Sequence, residues 1–123
     1  MNVFSDTTTV LIIDDSLTVR QSLRARLSNV GVTRSETAAN AADGLMRLQK
    51  RSFDVVLCDY NLGEGMNGQE MLEQLRSNGS YPLTSVWIMI TGERSYERVV
   101  AAAEVAPDDY ILKPFSSQAL FDR

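Results

Sequence analysis

Short runs of consecutive apolar residues alternate along the chain with stretches in which apolar residues are spaced by three or four. A continuous apolar run is typical of a strand buried on both faces, and the wider spacing is typical of an amphipathic helix. The predicted strands are Val10–Ile13, Val32–Thr37, Asp54–Cys58, Val86–Ile90 and Asp109–Leu112. The strand at Val32–Thr37 rests on its position between two helices, because its own pattern is weak.

Five helices are predicted between and after these strands. The first is capped by Ser16 and closed by Gly31, because a serine hydroxyl accepts from the first turn and glycine ends helices. The others are Asn40–Lys50, Gly68–Ser77, Ser95–Ala106 stopped by Pro107, and a helix that begins at Ser116 or Ser117. The residues predicted to face inward are Val19, Leu23, Leu27 and Val30 in the first helix, Ala41, Leu45 and Leu48 in the second, and Met71, Leu72 and Leu75 in the third.

Strands that alternate with helices predict right-handed βαβ units, and therefore a parallel sheet with helices on both faces. The expected fold class is a doubly wound α/β domain with five parallel strands. Its 123 residues fit a single domain with one core. Sheets of this kind bind ligands at the carboxyl ends of their strands.

Composition narrows the possible functions. The chain has 12 basic and 16 acidic residues, a net charge of −4, which disfavours a nucleic-acid-binding surface. It has no histidine, so Ser-His, Cys-His and His-metal chemistry are excluded within this chain. Its single cysteine, Cys58, precludes an internal disulfide and is expected in the core. Apolar runs are far shorter than a membrane span, and Met1–Thr9 lacks a signal-peptide pattern.

Polar residues follow four of the five predicted strands at their carboxyl ends. They are Asp14 and Asp15, Asp59, Thr91, and Lys113. Each has an ordinary explanation taken alone, since acids favour helix starts and turns, and threonine or lysine is common after a strand. Their joint placement on one edge of one sheet is what indicates a site.

Three clustered carboxylates repel one another unless a cation or a proton joins them. Because the chain has no histidine, a metal is expected on oxygen ligands, and the expected cation is Mg²⁺, which prefers them. Lys113 would add a second positive charge and Thr91 a hydroxyl donor. A carboxylate beside a divalent cation, an ammonium and a hydroxyl is suited to phosphoryl transfer onto Asp59.

Four segments carry a resemblance to a known family. They are Val10-Leu11-Ile12-Ile13-Asp14-Asp15-Ser16, Val55-Val56-Leu57-Cys58-Asp59, Ile90-Thr91-Gly92-Glu93 and Tyr110-Ile111-Leu112-Lys113-Pro114-Phe115. In order and spacing they resemble the receiver domain of two-component response regulators, particularly the chemotaxis regulators. The resemblance covers essentially the whole chain. It implies a flavodoxin-like (βα)5 fold with strand order 2-1-3-4-5.

The resemblance also implies roles for individual residues. Asp59 would be the phospho-acceptor, and Thr91 and Lys113 would assist at the phosphoryl group. Asp15 and Asp59 would bind Mg²⁺ directly, Asp14 through water and Asn61 through its backbone carbonyl. Thr91 and Tyr110 would be the switch residues that respond to phosphorylation.

Partners and setting follow from the same resemblance. The donor would be a phosphohistidine on a sensor kinase or phosphotransfer protein, and the reader a downstream effector. A homodimer through the helix at Ser95–Ala106, the fifth strand and the last helix is possible. The domain is expected to be cytoplasmic, to touch neither nucleic acid nor membrane, and to be a signalling domain rather than a turnover enzyme. The short last helix suggests that residues 1–123 belong to a longer protein.

The chain departs from the family pattern after the acceptor. Glycine stands at position 63, where the family usually has proline, and Gly68 lies nine rather than eight residues beyond Asp59. The loop Gly63-Glu64-Gly65 is therefore expected to be one residue longer and more flexible. Gly92 stands where alanine is common.

Three other functions remain open on sequence alone. A Mg²⁺-dependent phosphohydrolase with an aspartyl-phosphate intermediate uses similar residues, but places its nucleophile in Asp-x-Asp after the first strand. A flavin-mononucleotide carrier shares the architecture, but Asp14 and Asp15 would repel its phosphate. A degenerate receiver would act only as a binding module.

Overall fold

The computed structural model describes residues 4–77, 79, 85–92, 96, 99, 101, 105–113 and 120–121 of the chain. The strands are β1 (Thr9–Ile13), β2 (Arg34–Ala38), β3 (Val55–Asp59), β4 (Val86–Thr91) and β5 (Asp109–Leu112). The helices bounded within these residues are α1 (Leu17–Asn29), α2 (Ala41–Lys50) and α3 (Gly68–Ser77).

All five strands form one parallel sheet in the order β2-β1-β3-β4-β5. This confirms the predicted doubly wound α/β fold and its strand order. The central strands β1 and β3 are almost entirely buried. β2 lies at one side of the sheet and is only half-buried, which explains why its apolar pattern is weak and why it begins two residues later than predicted.

Alternate residues along the strands belong to two apolar clusters on opposite faces of the sheet. The first cluster contains Trp87 and Met89 from β4, and α3 adds Met71 and Leu72. Ala41, Leu45 and Leu48 of α2 pack against the same cluster. The second cluster is built from Val10, Ile12, Val55, Leu57, Ile88, Ile90 and their neighbours in α1. Helices therefore cover both faces, as predicted, and the carboxyl ends of the strands are left accessible.

The start of α1 is as predicted, but its inward face is shorter. Ser16 is the N-cap, and its hydroxyl oxygen accepts a hydrogen bond from Val19 N at 3.3 Å. Leu23 and Leu27 are buried, whereas Val30 is 54% exposed. The prediction for Val30 is wrong because α1 ends at Asn29, and Gly31, with φ of +87°, turns the chain away.

Asn67 and Glu70 form a capping box at the start of α3. Asn67 Oδ1 accepts from Glu70 N at 2.8 Å, and Glu70 Oε1 accepts from Asn67 N at 3.0 Å. This reciprocal pair of hydrogen bonds fixes the start of α3 at Gly68, directly after Asn67. The predicted inward residues Met71, Leu72 and Leu75 are buried.

Two predicted helices lie largely outside the described residues. Of the fourth, Tyr96, Val99 and Ala101 are helical, whereas Val105 and Ala106 are not. The predicted end at Ala106 is therefore too late, and its cap at Ser95 lies outside the described part. The predicted start of the last helix at Ser116 or Ser117 also lies outside it, although Leu120 and Phe121 are helical. Among the described residues, no helix is both long enough and apolar enough to span a membrane.

Candidate functional site

The polar residues predicted to meet at the carboxyl edge of the sheet do lie there. Asp59 and Thr91 are the last residues of β3 and β4, and Asp14 and Lys113 directly follow β1 and β5. Ile13 pairs with Cys58, so Asp14 and Asp59 come next to each other on adjacent strands. Parallel pairing thus assembles the site from residues up to 99 positions apart.

Three carboxylates form a compact cluster at this edge. One oxygen atom from each of Asp14, Asp15 and Asp59 lies within 4.8 Å of the others. Asp14 is 1% exposed and Asp59 is 6% exposed, whereas Asp15 faces solvent. A cation could therefore approach from the Asp15 side and meet the two buried carboxylates behind it.

Asp14 is held at its backbone and at both carboxylate oxygens. Its N–H donates to Ala38 O at 3.1 Å, and its Oδ1 accepts from Ser16 N at 2.9 Å. Its Oδ2 accepts from Lys113 Nζ at 3.4 Å, and its carbonyl oxygen accepts from Arg20 Nη1 at 2.8 Å. The position of Arg20, six residues along the chain, gives no sequence signal for this contact.

Lys113 lies between the two buried acids. Its Nζ is 3.3 Å from Asp59 Oδ2 and 3.4 Å from Asp14 Oδ2. Burial alone would lower the pKa of Lys113, but the negative charges of Asp59 and then Asp14 outweigh it and raise that pKa above its usual value. The ammonium therefore stays charged and offsets part of the repulsion between the acids.

The carboxyl of Asp59 is harder to ionise than an ordinary aspartate. Burial, together with the negative charge of Asp14, raises its pKa from 3.8 to about 6, although Lys113 and the N–H of Asn61 act in the opposite direction. One ammonium thus leaves the cluster of three acids with uncompensated negative charge. A hard divalent cation with oxygen ligands fits this donor set, and Mg²⁺ prefers few carboxylates plus several waters.

The loop after β3 turns at two glycines. Gly63 and Gly65 have φ of +83° and +90°, values that glycine adopts without steric cost. The glycine-rich sequence of this loop therefore permits both turns. Asn61 is exposed, and its side-chain Oδ1 accepts from Gly63 N at 3.1 Å. A cavity of about 450 Å³ lies between this loop and the end of β4, lined by residues that include Tyr60, Asn61, Thr91 and Gly92. It provides space for a small group or water next to Tyr60, the residue that follows Asp59.

Gly68 closes the loop against the acceptor strand. A Cβ at this position would lie 2.5 Å from Asp59 O and 2.9 Å from Met89 Sδ, closer than real contacts allow. Its N–H donates to Tyr60 O at 2.8 Å. The absence of a side chain therefore lets the start of α3 lie directly on the end of β3.

Three tyrosines connect the acceptor strand to β5. Tyr96 is fully buried, and its ring centroid lies 5.1 Å from that of Tyr60 and 5.3 Å from that of Tyr110. Its hydroxyl donates to Gln69 Oε1 at 2.9 Å, and Gln69 Nε2 donates to Val105 O at 2.6 Å. The sequence did not identify Tyr96 or Gln69, because polar partners 27 residues apart have no local pattern.

Cys58 is a core residue, as predicted. Its side chain is fully buried, and its Sγ donates to Asp59 O at 3.3 Å. Burial, with the charges of Asp59 and Asp14, raises the pKa of the thiol well above its usual range. The thiol therefore stays protonated and unreactive.

Known proteins resemble the chain over almost its full length. Residues 10–123 match the family model described as the response regulator receiver domain. The chain is 32% identical over 114 residues to chemotaxis protein CheY-3 of Vibrio cholerae, covering 93% of this chain and 86% of that protein. It is 29% identical to chemotaxis protein CheY of Pseudomonas aeruginosa, covering 93% and 90% of the two chains.

Solved structures of similar proteins share the fold over most of the chain. CheY4 of Vibrio cholerae superposes with a TM-score of 0.81 at 32% identity, covering 94% of this chain and 93% of that one. A CheY-like receiver domain protein from Methanospirillum hungatei gives a TM-score of 0.80 at 30% identity, covering 94% and 88%.

Proposed function

Because this chain belongs to the response regulator receiver domain family of two-component signalling, we propose that it accepts a phosphoryl group on Asp59. The donor is a phosphohistidine on a sensor kinase or phosphotransfer protein. A chain without histidine cannot supply that group itself. The observation that carries the proposal is the placement of Lys113 between Asp59 and Asp14, beside the exposed carboxylate of Asp15.

Asp59 acts as the nucleophile. Its carboxylate oxygen forms a bond to phosphorus while the bond between phosphorus and the donor nitrogen breaks, and the nitrogen keeps that electron pair. Lys113, already 3.3 Å from Asp59, binds a phosphoryl oxygen, and Thr91 donates its hydroxyl to another. The pKa of about 6 leaves Asp59 ionised, and therefore nucleophilic, at neutral pH.

Asp15 and Asp59 would hold Mg²⁺ directly, Asp14 through water and Asn61 through its backbone carbonyl. When bound, the ion neutralises charge on the transferring phosphoryl group. The three grouped carboxylates support this assignment, because a single ammonium does not balance them.

The phosphorylated domain acts as a signal that resets itself by hydrolysis, not as a turnover enzyme. Thr91 and Tyr110 carry the change to the face beside β5, where an effector or a second protomer binds one form in preference. The domain spans residues 1–123, and we place it in the cytoplasm on the strength of the family, away from nucleic acid and membrane.

Acetyl phosphate tests the acceptor directly. Incubation with this donor and MgCl₂ should add one phosphoryl group by intact-mass spectrometry, and chelation with EDTA should prevent it. The Asp59→Asn variant should remain unmodified, whereas Asp54→Asn, which changes the residue directly before the same strand, should be modified like the wild type. Modification that persists in Asp59→Asn would place the acceptor elsewhere.

A further inference from the structure

Arg20 holds the peptide group that joins the first two acids of the site. It lies in the first turns of α1, where its N–H donates to Ser16 O at 3.0 Å. From there its Nη1 reaches back to the carbonyl oxygen of Asp14 at 2.8 Å. That carbonyl belongs to the peptide plane whose nitrogen is that of Asp15. The orientation of this plane therefore decides where the Asp15 side chain begins.

Asp15 depends on this constraint more than Asp14 does. Asp14 is buried and has partners at both carboxylate oxygens, Ser16 N and Lys113 Nζ. Asp15 is exposed, and within the described residues its carboxylate has no hydrogen bond or ion pair. The backbone on its amino side is thus what directs its carboxylate toward Asp59.

We propose that Arg20 is a positioning residue for the magnesium site, because it fixes the Asp14–Asp15 peptide from the first turns of α1. This inference rests on the proposed function. Groups that orient metal ligands typically change metal affinity by about 10–100-fold when they are removed. A hydrogen bond from a charged donor is among the stronger ones a carbonyl can accept.

The charge of Arg20 acts in the opposite direction. A guanidinium near the site repels a divalent cation, so loss of its charge alone would tighten Mg²⁺ binding. Loss of the hydrogen bond that positions the Asp14–Asp15 peptide would weaken Mg²⁺ binding. The sign of the change in affinity therefore separates the two roles, and a purely structural role would lower thermal stability without moving the affinity.

Arg24 provides a matched control. It lies one turn further along α1, is exposed, and its Nε donates to Ser35 Oγ at 3.2 Å, away from the acids. Arg20→Met and Arg24→Met each remove one positive charge from the same helix. Mg²⁺ affinity is measured by titrating MgCl₂ against the amide chemical shifts of Asp15 and Asp59, with thermal unfolding recorded alongside.

Arg20→Met is expected to weaken Mg²⁺ binding about tenfold. Arg24→Met should bind as the wild type or slightly more tightly, and Arg20→Lys, which keeps a donor, should recover part of the loss. Unchanged or tighter binding in Arg20→Met overturns the inference. If Arg20→Met does not fold, the shorter, neutral Arg20→Gln decides by the same criterion. If the amide chemical shifts of Asp15 and Asp59 in the wild type do not change when MgCl₂ is added, the proposed function itself is overturned, before any variant is compared.

Discussion

The proton equilibrium of Asp59 links the site to the stability of the fold. Its pKa is raised from 3.8 to about 6 by burial and by the charge of Asp14, so the folded state binds a proton more readily than the unfolded state does. Between those two pH values the folded protein carries more protons, and the free energy of unfolding falls as pH rises. Above pH 6 the ionised carboxylate is therefore a destabilising group in metal-free protein.

Asp59→Asn should accordingly stabilise the metal-free protein. At pH 7.5 we expect a gain of about 1–3 kcal/mol in the free energy of unfolding, since about two pKa units are at stake and part of that is screened by solvent. The gain should shrink as pH falls from 6 toward 4, where the wild type is protonated as well. Urea unfolding at several pH values in EDTA measures it.

Asp6→Asn, an exposed change near the amino end, serves as the control and should leave stability nearly unchanged. An Asp59→Asn variant no more stable than the wild type at pH 7.5 would show that Lys113 already compensates the acceptor charge fully. Excess Mg²⁺ should narrow the difference in the free energy of unfolding between Asp59→Asn and the wild type, because a ligand that binds the folded wild type stabilises it.

Residues at strand ends were the predictable part of the site. Asp14, Asp59, Thr91 and Lys113 each follow or end an apolar run, and parallel strands bring such ends together. Arg20 was not predictable, because its contact is with a backbone carbonyl and could be made by any long donor. The metal, acceptor and switch roles stay predictions, since the structure places these residues without testing what they do.

Among the elements, strands buried on both faces were located closely by their apolar runs. β3 and β4 begin or end within one residue of their predicted limits, because an apolar run ends where burial ends. β2 has the sequence RSETA and lies at the edge of the sheet. It was therefore predicted only from its position between two helices. Contacts between elements, such as the bond from Tyr96 to Gln69, depend on packing that no local pattern encodes.

The hydrogen bond between Tyr96 and Gln69 should stabilise the attachment of the Tyr96 helix to α3. Tyr96→Phe keeps the ring that contacts Tyr60 and Tyr110 but leaves the buried Gln69 Oε1 without this donor. We expect a loss of about 1–2 kcal/mol, the usual cost of an unmatched buried polar group. Urea unfolding of the variant measures it.

Tyr60→Phe is the matched control, because the described residues record no hydrogen bond of its hydroxyl, and it should change stability by less than about 0.5 kcal/mol. The double variant Gln69→Leu/Tyr96→Phe should cost less than the sum of the single changes, since the two side chains share one bond. Strict additivity would mean that the bond contributes nothing.

For the whole molecule, phosphorylation of Asp59 should change the surface at the β5 edge of the sheet, two strands away from β3. Thr91 and Tyr110 lie on adjacent strands, since Thr91 pairs with Leu112 and Met89 with Tyr110. Tyr110 is half-buried against Tyr96, so a movement of either ring changes the surface beside β5. A partner that prefers one arrangement by about 1–3 kcal/mol would suffice to read the signal.

Beryllofluoride with Mg²⁺ imitates the phosphoryl group and tests this coupling. Amide chemical shifts should change at Asp59, Thr91 and Lys113, and also at Tyr110 and Tyr96. The same addition to Asp59→Asn should change none of them. Shifts confined to Asp15, Asp59 and Thr91, with Tyr110 unmoved, would rule out a switch through this strand.

The burial of Trp87 has an optical consequence. It is the single tryptophan of the chain, it is fully buried, and it lies near the start of β4. Thr91 lies four positions further along β4, so the Cα atoms of the two residues are about 13 Å apart. The emission of Trp87 therefore reports the integrity of the sheet and not events at the carboxyl edge. Tyr60, which directly follows the acceptor, is better placed than Trp87 to respond to those events.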